Sequence, residues 1–347
     1  MTLKIVTVVG ARPQFIKAAA LSRAIRDTDG LEEVMIHTGQ HFDENMSEVF
    51  FRELDIPPPA HQLDINGGGH GEMTGRMLIA IEPVLLAERP DWMVVYGDTN
   101  STLAGALVAA KLHIPIAHVE AGLRSFNRRM PEEVNRVLTD HVATLHLCPT
   151  RAAIERLNRE GIRDGVHHVG DVMYDATLFA AEQAGRSSNI LDELKVVHKN
   201  YAVATVHRPE NTDSPESLQR AISYLQKQAD RFPVIFPLHP RTRQYAERVG
   251  LVLKGLMVID PVGYLDMARL LQGACAVFTD SGGLQKEAYF HRVPCVTMRG
   301  ETEWVETITH GWNRLWNGPD FAARREIDEY GDGRAAVRIA ELLKKAL

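Results

Sequence analysis

Three acidic residues stand where an α/β chain turns side chains toward ligand rather than core. Asp98 follows the apolar run Trp92–Tyr96 after a single glycine and is expected at the carboxyl end of a strand. Glu120 ends a second run, Ile114–Val119, in the same way, and Glu132 follows Pro131 in the first turn of a helix. In an open α/β sheet the carboxyl ends of the strands and the adjoining helix starts open onto the ligand crevice. Three carboxylates converging there point to proton transfer. Plainer uses stand beside this one. Asp98 would suit as the cap of a helix starting near Asn100 or Ser101, and Glu132 would complement a helix dipole, worth about 0.3–1 kcal/mol. Glu120 has neither use, because Ala121-Gly122 follows it and not a helix start.

A second cluster begins at Asp280. The strand expected over Ala274–Thr279 is followed by Asp280-Ser281-Gly282-Gly283 and a helix that contains Glu287. Such a turn aims backbone N–H groups and a helix N-terminus at an anion, and its glycines admit phosphate oxygens to the backbone. Glu287, one turn into the helix, is placed to accept both hydroxyls of a ribose. An ordinary glycine turn is the simpler explanation, but the fixed spacing to Glu287 argues against it. A diphosphate nucleotide also requires cations. Arg12, Lys17 and His207 each lie on or just past a strand-to-helix turn. Singly they read as solvated surface cations, together as a set facing one crevice.

The elements that must hold these groups are legible in the apolar pattern. Short β-branched runs alternate with helical ones, the signature of parallel sheets with crossover helices. Strands are expected at Lys4–Val9, Glu33–Thr38, Trp92–Tyr96, Ile114–Val119 and Thr144–Cys148, with helices at Pro13–Arg26 and Met73–Ala87 and a glycine-rich loop at Leu63–Gly71. A second unit of the same kind has strands at Tyr201–Val206, Val234–Pro237, Leu256–Ile259, Ala274–Thr279 and Pro294–Met298. Its helices are Pro215–Arg231, Tyr264–Gln272 and Gly283–Phe290, and Gly185–Asn200 reads as a polar surface excursion. The expected division is therefore an α/β chain of two doubly wound parallel-sheet domains. Residues 1–169, joined by the last helix 334–347, carry the carboxylates, and residues 170–333 carry the nucleotide turn.

The 347 residues suffice for two such domains, and a net charge of −6 without a basic block argues against nucleic acid. No apolar run approaches a membrane span and the N-terminus reads as a strand, so a cytoplasmic protein is expected. Three cysteines without metal spacing are expected as reduced thiols, and no paired Cys/His pattern suggests a metal. The first strand leads into Gly10-Ala-Arg12-Pro-Gln14, which is not the dinucleotide fingerprint, and neither a P-loop nor a G-x-S-x-G elbow occurs.

Taken together, Gly10-Ala-Arg12-Pro, Thr38-Gly-Gln40-His41, Gly97-Asp98-Thr99, His118-Val-Glu120-Ala-Gly122-Leu-Arg124, Pro131-Glu132-Glu133-Val-Asn135-Arg136, His207-Arg208, Asp280-Ser281-Gly282-Gly283 and Glu287-Ala288 run nearly end to end. In these the chain resembles the non-hydrolysing UDP-N-acetylglucosamine 2-epimerases. Tyr96-Gly-Asp98-Thr-Asn-Ser-Thr102, Arg124-Ser-Phe-Asn127, Asp260-Pro-Val-Gly-Tyr264 and Thr302-Glu-Trp-Val-Glu306 are most similar to the branch acting on UDP-2,3-diacetamido-2,3-dideoxy-glucuronate. The resemblance implies the GT-B fold, two Rossmann-like domains with a cleft between them, a homodimer and no cofactor. It implies inversion at C2 of a UDP-2-acetamido sugar, by elimination of UDP to a 2-acetamidoglucal and re-addition, for polysaccharide precursors. Asp98, Glu120 and Glu132 would then be the acid, base and orienting carboxylates. Arg12, Lys17 and His207 would neutralise departing UDP, His207 within the catalytic set, with Arg136 at the substrate, Ser281, Gly282 and Gly283 at the phosphates and Glu287 at the ribose. A GT-B glycosyltransferase using a UDP-sugar donor is the alternative, and a nucleotide-sugar sensor a third. Regulated members carry Gln-His-Arg and a polar residue. Here Gln40-His41 precede Phe42-Asp43, so activation at the usual second site is not expected. A carboxylated sugar would call for a cation within Arg124–Arg129 or at Arg299.

Overall fold

Leu3–Val9 forms the first strand because its β-branched and aliphatic side chains are buried on both sheet faces, as a central parallel strand requires. The computed structural model of the chain describes residues 2–40, 53–238 and 240–346. They divide into two compact units, one of residues 1–176 and 328–347, the other of residues 177–327.

In the first unit β1 (Leu3–Val9), α1 (Arg12–Arg26), β2 (Leu31–His37), β3 (His61–Gln62), α2 (His70–Glu88), β4 (Trp92–Tyr96) and α3 (Asn100–Lys111) follow in order. Next come β5 (Ile116–Val119), α4 (Pro131–Val142), β6 (Leu145–Cys148), α5 (Arg151–Arg159), β7 (Val166–His168) and α6 (Val172–Ser187). The strands pair in parallel in the order β3-β2-β1-β4-β5-β6-β7. The chain moves outward from β1 on one side and outward from β4 on the other. The topological switch point, where α/β sheets hold ligands, therefore lies at the carboxyl ends of β1 and β4.

The second unit repeats the plan. It contains α7 (Ile190–Glu193), β8 (Ala202–Thr205), α8 (Pro209–Thr212), α9 (Pro215–Ala229), β9 (Val234–Pro237), α10 (Pro240–Arg248), β10 (Met257–Ile259) and α11 (Tyr264–Gly273). These lead to β11 (Ala276–Thr279), α12 (Gly282–Phe290), β12 (Cys295–Thr297), α13 (Val305–Thr309) and β13 (Asn313–Leu315). The parallel order β10-β9-β8-β11-β12-β13 puts this switch point between β8 and β11. Thus His207 and Asp280 leave adjacent strands side by side.

The last helix, α14 (Ala335–Lys345), returns to the first unit. There the buried Trp92 indole donates to the Leu343 carbonyl at 3.1 Å. The expected boundaries at 169/170 and 333/334 move to 176/177 and 327/328. The first of these falls inside α6, whose buried stripe of Ala176, Ala180 and Ala184 is too weakly apolar to stand out in the sequence. The expected excursion at Gly185–Asn200 instead contains the end of α6 and the short α7, with Ile190 buried in the second unit's core.

Asp175, near the start of α6, accepts from the Ala335 and Ala336 N–H groups (3.1 and 2.8 Å) and so satisfies the start of α14. Burial pushes its carboxyl up to about 6 against those two hydrogen bonds. The folded state thus binds this proton more readily than the unfolded chain. Its contribution to stability is full below the ordinary carboxylate range and is lost as pH rises through about 6. Asp175→Asn is expected to gain stability relative to the parent as pH rises from about 4 to about 7, by at most about 3 kcal/mol. Melting curves over that range check this, and parallel Tm profiles would contradict it.

Candidate functional site

The switch point of the first unit is held open by close backbone packing. A Cβ at Gly10 would lie 2.1 Å from Thr38 Oγ1 and 2.2 Å from Ser101 Oγ, so only glycine fits as β1 turns into α1. Gln14 in the first turn of α1 is buried and uses its whole amide. Its Oε1 accepts from the Gly10 and Ala11 N–H groups, and its Nε2 donates to the Tyr96 carbonyl and Thr102 Oγ1. The ends of β1 and β4 are thereby tied together across the crevice. Gln14 carries no signal of this in the sequence, because the partners of its Nε2 lie more than eighty residues away.

Asp98 follows Gly97, whose φ of +61° bends the chain off β4. The capping role open to Asp98 is taken by Thr99, whose hydroxyl accepts from Thr102 N. Asp98 instead pairs with Arg136 of α4 at 2.6 Å, while its carbonyl accepts from Asn135 Nδ2 at 2.8 Å. Its side chain stays about one-third exposed (32 %). Glu120, one residue beyond β5, adopts φ +71°, a left-handed conformation that a non-glycine residue holds only when its surroundings enforce it. Its carboxylate is ion-paired with Lys17 Nζ of α1, both side chains about nine-tenths buried. The Lys17 ammonium also lies beside Gly97, 3.3 Å from where a Cβ would be. Asp98 with Arg136 and Glu120 with Lys17 therefore form two adjacent carboxylate–cation pairs at one crevice.

The neighbouring glutamates of α4 separate in role. Glu133 is buried and accepts from Ser125 N, Ser125 Oγ and Phe126 N (2.8, 3.0 and 2.9 Å) and from Arg136 Nη1 at 2.9 Å. Burial would push its carboxyl up, but the bonds from Ser125 and Arg136 outweigh that and hold it below the usual range. Glu132 is exposed in the first turn, one turn before Arg136. Arg12, also exposed, stands at the first position of α1 beside the crevice.

In the second unit Asp280, fully buried at the end of β11, organises the turn after β8. Its carboxylate accepts from His207 N, Arg208 N and Asn211 Nδ2, each at 3.0 Å, and its Oδ1 lies 3.2 Å from His207 Nδ1. Asp280 thus holds the backbone and ring of His207 at the end of β8, while half the His207 side chain stays exposed. Ser281 caps α12, its hydroxyl accepting from Leu284 N at 3.5 Å, so the Gly282 and Gly283 N–H groups begin the helix. A Cβ at Gly283 would meet open space, leaving room over this terminus. Glu287 is buried one turn on, next to Lys286, whose ammonium lies 4.1 Å from the Trp304 ring centroid. In the sequence Asp280 stands out only as part of its motif. Its role becomes visible through strand order.

Of the cations expected for a carboxylated sugar, Arg124 is committed elsewhere. It is buried between Asp140 and Glu160, with Nε and Nη2 bidentate on Glu160 at 2.7 Å each. Arg299 lines a cleft of about 800 Å³ in the second unit with Arg220, Lys227, Tyr224 and Trp316, and pairs with Glu303 at 2.9 Å. Of the segment bearing on second-site regulation, His41–Asp43 lies outside the described residues.

The arrangement can therefore move protons at one switch point and bind an anion at the other. Comparisons with known proteins bear on the family. Residues 23–344 match the family model described as UDP-N-acetylglucosamine 2-epimerase. The chain is 53% identical to a UDP-2,3-diacetamido-2,3-dideoxy-D-glucuronate 2-epimerase of Pseudomonas aeruginosa, over 99% of this chain and all of that one. It is 33% identical to a UDP-N-acetylglucosamine 2-epimerase of Escherichia coli, over 99% and 98%. The solved structure of a Methanocaldococcus jannaschii UDP-GlcNAc 2-epimerase in complex with UDP-GlcNAc and UDP superposes with a TM-score of 0.87 at 42% identity, covering 99% of each chain. With its two parallel-sheet units and their switch-point residues, the chain belongs to the UDP-N-acetylglucosamine 2-epimerase family.

Proposed function

We propose that this enzyme inverts C2 of a UDP-2-acetamido sugar through a 2-acetamidoglucal, with the paired carboxylates Asp98 and Glu120 as its proton-transferring groups. No carbonyl acidifies the C2 proton of such a sugar, so removing it alone is not feasible. A base can take it while the C1–O bond breaks. The C2–H electrons become the C1=C2 double bond, and UDP leaves with the C1–O pair. Re-addition of UDP with protonation of the opposite face gives the epimer. This requires an acid/base group for each face of C2 and cations for the leaving diphosphate. The observation that carries the reading is the Asp98–Arg136 and Glu120–Lys17 pairs beside Gly97, in which each carboxylate has its own cation. Exposed Glu132 extends the set, and Arg12 and Lys17 supply positive charge. His207, steered by Asp280, and the Ser281–Gly283 helix start suit the diphosphate, and Glu287 the ribose.

Incubation in D₂O with UDP-sugar and no acceptor tests this. Deuterium at C2 with conversion to the manno epimer is expected, and an inert UDP-GlcNAc and an inert diacetamido-glucuronate analogue would refute it. A glycosyltransferase would give no C2 exchange. The identity to the P. aeruginosa relative favours the uronate as substrate, and Arg299, which lines a cleft with Arg220 and Lys227, suits a carboxylate better than Arg128, which is exposed on a surface loop. Arg299→Ala is expected to lower kcat/KM for the uronate about 10-fold or more, as loss of one charge-assisted hydrogen bond would, with little change for UDP-GlcNAc. Equal losses on both substrates would count against the assignment. The homodimer implied by the family would use the apolar surface of Ile79 and Leu86 on α2, which are 75 % and 57 % exposed. Among the described residues no helix is long and apolar enough to cross a membrane.

A further inference from the structure

His118 of β5 is fully buried, and both its ring nitrogens face groups that only accept. Nε2 lies 2.7 Å from the Gly97 carbonyl oxygen, and Nδ1 lies 2.7 Å from Asp140 Oδ1 of α4. Asp140 is itself buried, and its other oxygen accepts from Arg124 Nη1 at 2.6 Å and Gly122 N at 3.2 Å. A carbonyl and a carboxylate cannot donate, so both contacts require a proton on the ring. The paired strand supplies an internal contrast. His146 on β6 stands directly across from His118, and only its Nε2 meets an acceptor, the Asp140 carbonyl at 2.7 Å, while its buried Nδ1 has no hydrogen-bond partner. One proton satisfies His146, and burial holds its pKa below the usual value. His118 needs two.

We infer that His118 is a fixed imidazolium that acts as a positioning residue, holding the Gly97 carbonyl by a charge-assisted hydrogen bond and so setting the place of Asp98. The charges around it balance. His118 and Arg124 are two cations, and Asp140 and Glu160 two anions, joined in one network that is buried except at Glu160. The other charged groups near Gly97 are Lys17 with Glu120 and Asp98 with Arg136, each pair already joined. Gly97 N donates to the Val119 carbonyl at 3.0 Å, so the residue is gripped from β5 through both its N–H and its C=O. Asp98 begins at the next bond. Hydrogen bonds with an ionised donor are roughly twice as strong as neutral ones, and small displacements of a reacting group can cost as much as 10²-fold in rate.

The inference rests on the reading of Asp98 as a reacting carboxylate, and the test separates the two. In ¹⁵N-histidine NMR of the wild-type enzyme at about pH 8, above the ordinary imidazole range, both nitrogens of His118 should be protonated while His146 shows one proton. A singly protonated His118 overturns the inference whatever Asp98 does. In Asp140→Asn the ring loses its anionic partner. Its kcat should then fall as pH rises through about 6–7, where an ordinary imidazole gives up its proton, with KM changed less than kcat. A profile lowered equally at every pH would mean a purely structural role. Full activity in Asp98→Asn beside a doubly protonated ring would remove the reading of Asp98, and with it what the ring positions, while leaving the ring's charge established.

Discussion

Asp98→Asn should lower kcat for C2 exchange by about 10²- to 10⁴-fold, the range a general acid or base contributes, with melting temperature changed little. The amide keeps the shape of the side chain and its place after Gly97, so the Asn135 bond to the backbone carbonyl remains. Arg136 keeps its second partner, Glu133, at 2.9 Å, which limits the structural cost of removing one charge. What the amide cannot do is take up a proton. Single-turnover deuterium exchange separates this step from UDP binding. A variant that keeps the parent rate would remove Asp98 from the proton-transferring pair and leave Glu120 to be tested in the same way.

The second large effect is on stability. Asp140→Ala should cost about 3–5 kcal/mol, because it takes one partner from a buried ionic network and leaves the other charges in place. Burial alone would push the Asp140 carboxyl up, yet His118 and Arg124 outweigh it and hold the group below the ordinary carboxylate range. Sign and window follow from that direction. The network's contribution is present above the ordinary range and is lost as pH falls through the depressed value, so it does not limit stability near neutrality. Arg124 would keep Glu160, but His118 would face an empty space at Nδ1 and the Gly122 N–H would lose its acceptor. Chemical denaturation of Asp140→Ala beside the parent measures the loss, and a change under about 1 kcal/mol would show that the network is solvated after all.

The chain's own pattern was enough for the two sheets and most of their strands. Parallel strands buried on both faces are continuous apolar runs, and residues such as Val94 and Val95 or Val203 and Ala204 cannot be placed otherwise. It was enough, too, to put Asp98 and Glu120 at strand ends and the Ser281-Gly282-Gly283 turn at a helix start, since each lies within two residues of its strand's end. The short edge strands β3, β7 and β13 are not legible in the sequence, because two or three residues give no period. The alanine stripe of α6 was missed for want of contrast.

Only the tertiary structure could decide what each acidic residue does, because charge partners are set by strand order and not by distance along the chain. Glu132 and Glu133 are neighbours of one type, yet a loop folding back from Ser125 buries one and leaves the other exposed. Asp280 meets His207 across 73 residues because β8 and β11 are adjacent. His118 meets Gly97 across 21 residues because β4 and β5 are paired, with Asp140 reaching the ring from α4. Sequence marks where the acidic residues leave the sheet. Parallel pairing then decides which cation, carbonyl or histidine stands beside each, since it brings the ends of non-consecutive strands to a single edge.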